Sequence, residues 1–199
     1  LGWQATGLPT DPCEGGPGPY CNEWLLPSSA RIGGEGGAFY TTDLTVANTG
    51  VTGAKLFVRF LGHDADGLGG TDRSFLLAPG RSVTWADVLG SLFGLGEAWG
   101  AVQLRSASPS LVATSQTWTP GAGGTFGQSV PLVPETELIR SGTTRTVPAV
   151  REDASFRTNL ILANAGTSQV KVSGTLLSAS GAVLGAGDWT LSPLGMTQV

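Results

Sequence analysis

The chain has 199 residues, enough for one large or two small domains around a real core, and carries a net charge of −4 with a pI near 4.9. Eleven Lys and Arg residues scattered along an acidic chain give no basic field for a phosphate backbone, which argues against nucleic acid, and no apolar run approaches the roughly 20 residues of a membrane-spanning helix. Glycine (31 residues) and proline (12) are abundant and charged residues are only 13%, so a globular chain with 40% hydrophobic residues must cover its surface with Ser, Thr, Asn, Gln and Gly, as is common outside the cell.

Residues 1–27 show no sustained periodicity and are punctuated by Pro9, Pro12, Pro17, Pro19 and Pro27, which predicts an extended arm. Cys13 and Cys21 flank the turn "EGGPGP" in this arm. Two cysteines and the single His63 cannot supply a usual tetrahedral zinc set, and neither a C-x-x-C nor a haem motif is present. A local disulfide is the best reading, a pair of free buried thiols the alternative. By the chain-entropy model a loop of about nine residues contributes roughly 2.5 kcal/mol, and the bond implies an oxidising compartment. Trp3 and Trp24 have no domain of their own in the arm, so both are expected to dock as aromatic anchors on a folded unit or a neighbouring subunit.

From Phe39 the pattern alternates with period two. Tyr40, Thr42, Leu44 and Val46 point one way, and "NTG" at 48–50 ends the run. Ala54, Leu56, Val58 and Phe60 repeat the alternation before the polar loop "GHDADGLGGTD". Further strands are expected at about 74–78, 81–85, 100–106, 111–118 and 126–132, with one short helical turn in "ADVLGSLFG" capped by Asp87. Short strands separated by Gly, Pro and Asn turns predict an all-β antiparallel sandwich and exclude helical bundles and Rossmann layouts.

An internal similarity runs through the chain. A shift of 116 residues places Thr42, Asp43, Leu44, Ala47, Asn48, Gly50 and Lys55 on Thr158, Asn159, Leu160, Ala163, Asn164, Gly166 and Lys171. A shift of 114 brings Phe75, Leu77 and Pro79 onto Trp189, Leu191 and Pro193. This predicts tandem units at 28–146 and 147–199, the second incomplete because only six residues follow Pro193. Half a sandwich leaves an apolar face and open strand edges. Three explanations compete: the chain continues past Val199, a partner supplies the missing strands, or the second unit merges with the first.

The segments "FYTTDLTVANTG", "FLLAPGRSVTWADVLGSLFG", "GTFGQSVP" and "FRTNLILANAG" resemble the tandem immunoglobulin-like β-sandwich repeats of secreted and surface proteins of bacteria. The resemblance covers about residues 28–199 and its motifs are structural, so it implies architecture and a spacer, adhesion or assembly role. A first residue that is Leu1 suits a mature secreted product.

Candidate chemistry is sparse. His63 beside Asp64 lacks any nucleophile setting such as G-x-S-x-G, and no enzymatic activity is expected. Asp64, Asp66 and Asp72, interleaved with glycines, offer oxygen ligands for calcium, against an ordinary solvated loop; no other cofactor is implied. Six tryptophans suit either core packing or a carbohydrate-binding face. The reading favoured by these features is a non-catalytic extracellular structural or adhesion module that assembles with a protein partner or with itself through its arm and sheet edges; the alternative is a carbohydrate-binding module using exposed tryptophans.

Overall fold

The computed structural model of the protein describes residues 12–13, 21–154 and 156–199. It is nearly all β, with antiparallel ladders. The strands are β1 (Asn22–Gly33), β2 (Phe39–Asn48), β3 (Ala54–Gly62), β4 (Arg73–Leu77), β5 (Ser82–Trp85), β6 (Ala98–Ser106), β7 (Leu111–Gly121), β8 (Gly124–Val130), β9 (Val133–Pro134), β10 (Ile161–Ala163), β11 (Val170–Leu177), β12 (Val183–Leu191) and β13 (Met196–Gln198). One short helix, α1 (Val88–Ser91), lies where the helical spacing predicts it, and the Asp87 carboxylate accepts the Gly90 amide at 3.2 Å as its cap.

Nine strands form one sheet in the order β4-β3-β6-β1-β2-β7-β8, with β5 added to β2 and β9 to β1. The sheet turns on β1 and β2. β1 pairs with β6 over most of its length, and only its end, Arg31–Gly33, pairs with the start of β2. From there β2 runs on between β5 and β7. Leu26, Leu56, Val58, Val102 and Leu104 from one side of this turn meet Leu44, Val46 and Leu111 from the other, with Val88 and Leu89 of α1, in one buried core. Each such side chain contributes about 1.5–3 kcal/mol of transfer free energy as an upper estimate. The alternation read at Leu44/Val46 and Leu56/Val58 is the inward face.

The boundary of the expected arm differs from what is observed. A strand begins at Asn22, inside residues 1–27, and lies in the middle of the sheet. Pro27 does not stop it, because the register with β6 shifts between Leu26 and Ser29 and the proline falls in that irregularity, where no ladder amide is required. The rest of the expected arm, apart from Pro12, Cys13 and Cys21, lies outside the described residues.

β3 and β6 are buried on both faces. On their outer side Leu25, Leu61 and Ala101 pack with Leu194 and Met196, so residues 193–196 close over the sheet from far away in sequence. The loop after β3 joins this contact: the Asp64 amide donates to Met196 O at 2.7 Å and the Gly67 amide to Pro193 O at 2.9 Å. A Cβ on Gly67 would stand 2.2 Å from Leu194 O, so only glycine permits this approach.

The remaining strands form two small ladders, β10 with β13 and β11 with β12. Their registers repeat those of the large sheet at the offsets of 116 and 114. Val46 opposite Val83 and Ala47 opposite Ser82 correspond to Leu162 opposite Thr197 and Ala163 opposite Met196. Lys55 opposite Leu76 and Leu56 opposite Phe75 correspond to Lys171 opposite Thr190 and Val172 opposite Trp189. β10 is much shorter than β2; among the described residues it pairs with β13 alone, whereas β2 pairs with β1 and β7 as well as β5.

Candidate interaction surface

The β11–β12 ribbon is largely exposed. Side chains at even positions of β11 share a face with Trp189: Val172 stands opposite Trp189, Gly174 opposite Gly187 and Leu176 opposite Gly185. The indole lies across the two glycines, since a Cβ on Gly174 or Gly187 would come within 2.7 or 2.8 Å of its ring. Beyond it Leu176, Leu177, Val183 and Leu184 are exposed, Val183 by 67%. The opposite face is polar. Lys171 Nζ lies 3.0 Å from Asp188 Oδ2 and Ser173 Oγ donates to Asp188 Oδ1 at 2.6 Å; the serine hydrogen bond first, and then Lys171, hold the Asp188 carboxyl below its usual range. Among the described residues, β11 pairs with β12 alone.

The equivalent hairpin in the large sheet is covered. β3 pairs with β4 on one edge and with β6 on the other, Phe57 opposite Arg105 and Phe60 opposite Val102. Val102 and Leu104 are thereby buried against Leu56 and Val58.

Cys13 and Cys21 form the expected disulfide, with Cα atoms 5.2 Å apart, and both pack on Phe57 on the outer face of β3. The bond joins Cys13 to the residue that precedes β1, and the pair packs against β3 through Phe57. Trp3 lies outside the described residues. Trp24 is a half-buried residue of β1, opposite Leu104 and Pro134 and packed against the main core.

The calcium cradle expected from Asp64, Asp66 and Asp72 is not assembled. Asp72 turns inward, where its Oδ1 lies 2.9 Å from Arg59 Nε and 2.5 Å from Arg105 Nη2. Burial pushes its pKa up, but the hydrogen bonds and charges of the two guanidinium groups outweigh that and leave it below the ordinary value. Asp66 accepts the Leu68 amide at 2.9 Å in a local turn, and Asp64 is exposed with Oδ2 3.4 Å from His63 Nδ1. Among the described residues no three His, Cys, Asp or Glu side chains are grouped to hold a metal ion. The imidazole of His63 lies against Trp99, ring centres 4.6 Å apart.

Alternation along β1 and β6 places Glu23, Gln103 and Arg105 on the outer face, where a solvated surface is the simplest expectation. They are buried instead: Gln103 Nε2 donates to Glu23 Oε1 at 2.8 Å, and Arg105 is fully enclosed beside Asp72. Burial is the main cause that raises the Glu23 pKa, opposed by the Gln103 hydrogen bond. The legible signal was two arginines, Arg59 and Arg105, within largely apolar strands.

The tryptophans are dispersed. Trp85 packs on Phe75 at 4.9 Å, Trp118 Nε1 donates to Asp43 Oδ2 at 2.9 Å, and Trp99 is 37% exposed on β6. Among the described residues no helix is long and apolar enough to cross a membrane.

No protein-family model matches this chain, and no curated protein matches it. Among solved structures it is similar to a crystal structure of Thermotoga maritima 1070, at 18% identity and a TM-score of 0.44, over 56% of this chain and 92% of that one.

Proposed function

We propose that this protein is a non-catalytic extracellular structural or adhesion module built from two immunoglobulin-like units, which holds protein partners through its exposed sheet edges. The observation that carries the reading is the recurrence of the β2–β5 and β3–β4 registers in β10–β13 and β11–β12, the first set being covered by further strands and the second, among the described residues, having none. One unit is complete and stiff; the other presents backbone donors, acceptors and apolar side chains, which is what strand addition requires. The disulfide fits an oxidising compartment, hence secretion or the cell surface. Sedimentation of the chain across a concentration series, alone and with strand peptides, tests the reading. Association through a sheet edge is the expected result. A chain that neither self-associates nor captures any strand, yet binds a glycan in a manner lost on Trp99→Ala, would replace it with the carbohydrate-binding alternative.

A further inference from the structure

The outer face of the large sheet carries a polar cleft that neither the core nor the sheet edges use. β5, β2, β7 and β8 lie side by side there and pair without a register shift, so residues directly opposite one another share a face in rows. One row is Thr84, Thr45 and Thr114, and the next is Asp43, Gln116 and Ser129. These six side chains line a cleft of about 200 Å³.

The lining groups differ in what already holds them. Asp43 is fixed in orientation, since its Oδ1 accepts the Asp87 amide at 2.8 Å and its Oδ2 accepts the Trp118 indole N–H at 2.9 Å. A carboxylate accepts about four hydrogen bonds, so both oxygens keep capacity. The Thr45 and Thr84 hydroxyls bond one another at 2.8 Å, which orients both. Thr114, Gln116 and Ser129 are exposed and, among the described residues, their side chains make no hydrogen bond. A pre-set acceptor, an amide that both donates and accepts, and several hydroxyls therefore face one small volume.

We propose that this cleft binds one ring of a neutral saccharide, with Asp43 accepting from two neighbouring sugar hydroxyls and Gln116 and Ser129 completing the hydrogen bonds. The inference goes beyond the assembly reading and does not depend on it.

The chemistry of the lining selects the ligand. Its one charged group is a carboxylate, which disfavours phosphate and other anions, and a single carboxylate falls well short of the six to eight oxygens that calcium takes. No large apolar side chain lines the cleft, so an apolar peptide would gain little from burial there. A vicinal diol instead presents two donors side by side to the two oxygens of Asp43, and bonds to a carboxylate are stronger than those between neutral groups. The volume lies below the roughly 300–1,000 Å³ of pockets that enclose drug-sized molecules, which leaves room for a single ring. The half-buried indole that fixes Asp43 adjoins the site, and opposite it on β8 stands Gly127, which has no side chain to cover it. The C–H side of a sugar ring thus has an apolar surface to lie against.

The test uses the full chain and, as probes, the methyl glycosides of glucose, galactose, mannose, xylose and N-acetylglucosamine, read by saturation-transfer NMR and by indole fluorescence. At least one should bind saturably, with a Kd of about 1 mM. Gln116→Ala, at an exposed position, should weaken that binding about tenfold, the loss of one well-formed hydrogen bond, and Ser129→Ala should weaken it as well. Thr125→Ala, exposed on β8 outside the cleft, and Trp99→Ala on β6 should leave it unchanged. Absence of binding by every probe up to about 20 mM overturns the proposal. Affinity that survives Gln116→Ala, or that is lost in Trp99→Ala, puts the sugar elsewhere and also overturns it. Inorganic phosphate or calcium that shifts the Gln116 side-chain amide resonance where no glycoside does would replace the saccharide with an ion. None of these outcomes involves the β11 edge, so failure here leaves the assembly reading standing.

Discussion

Asn48 and Asn164, 116 positions apart, make the same set of hydrogen bonds. Asn48 Nδ2 donates to Thr52 O at 2.8 Å and Leu77 O at 3.0 Å, its Oδ1 accepts the Gly50 amide at 3.0 Å, and its own amide donates to Arg81 O at 2.9 Å. Asn164 Nδ2 donates to Ser168 O at 2.8 Å and Ser192 O at 2.9 Å, its Oδ1 accepts the Gly166 amide at 2.9 Å, and its amide donates to Gly195 O at 2.8 Å. In both places one carboxamide closes the turn that follows its strand and fastens it to the end of the next hairpin. Three bonds of fixed direction explain why asparagine serves here and aspartate, which cannot donate, does not.

These two side chains should differ in what their loss does. Asn48 is buried beside the main core, and Asn48→Ala strands two carbonyls and an amide, which costs about 2–4 kcal/mol of global stability. Asn164→Ala should loosen residues 160–199 while the large sheet keeps its unfolding midpoint. Denaturant titration with exchange mass spectrometry separates the two; equal global losses would show that the small ladders and the large sheet unfold as one.

Asp72 and Glu23 should give stability opposite slopes with pH. The folded pKa of Asp72 lies below its ordinary 3.8, so its contribution is present above that value and is lost as pH falls below it. The folded pKa of Glu23 lies above 4.5, so its contribution is complete below that value and is lost as pH rises through the raised pKa. Asp72→Asn leaves the buried Arg105 without its counter-charge and should cost about 3–5 kcal/mol at neutral pH. Glu23→Gln keeps an acceptor for Gln103 and should stabilise the protein at pH 7 but not at pH 4. Chemical denaturation across pH checks both signs.

Reduction of Cys13–Cys21 should lower stability by up to about 2.5 kcal/mol, the entropy of the closed loop. The sulfurs also cover Phe57, so reduction should expose that ring and release the start of β1 to protease. The denaturation midpoint with and without reductant measures the effect, and an unchanged midpoint would contradict it.

Gly67→Ala should detach the loop after β3 from residues 193–196, since the new Cβ meets the Leu194 backbone rather than a movable side chain. Overpacking of this kind costs about 1–3 kcal/mol. Gly69→Ala, which meets open space, is the matched control. Faster exchange of the amides of residues 64 and 67, which donate to Met196 O and Pro193 O, in the first variant alone is the expected reading.

The inward face was legible because Leu44, Val46, Leu56 and Val58 alternate without interruption, and Asp87 announced its helix through local capping. The disulfide followed by elimination, since two cysteines and one histidine leave few other chemistries. β1 was hidden by Pro27, which reads as a break unless the bulge that accommodates it is known. The cover over the outer face of β3 and β6 was hidden for another reason. Glu23, Gln103 and Arg105 share the outer face with Leu25, Leu61 and Ala101, which pack with Leu194 and Met196, and with Phe57, which packs with Cys13 and Cys21, contacts so distant in sequence that strand periodicity carries no trace of them. The aspartate loop misled because residue type suggests a cation, whereas Arg59 and Arg105, on other strands, already occupy Asp72.

The most direct measurement is residue-resolved hydrogen exchange of the isolated chain in Phe57–Val58 and in Ser173–Gly174, the same two positions of the two hairpins. Phe57 and Val58 have strands on both sides, so both amides should exchange only on global unfolding. Among the described residues Ser173 and Gly174 have one neighbouring strand, so the amide directed away from β12 should exchange at close to the rate of an open chain. Protection of both amides in the isolated monomer would mean that β11 has no open edge, and would contradict its role as the place where a partner strand is added.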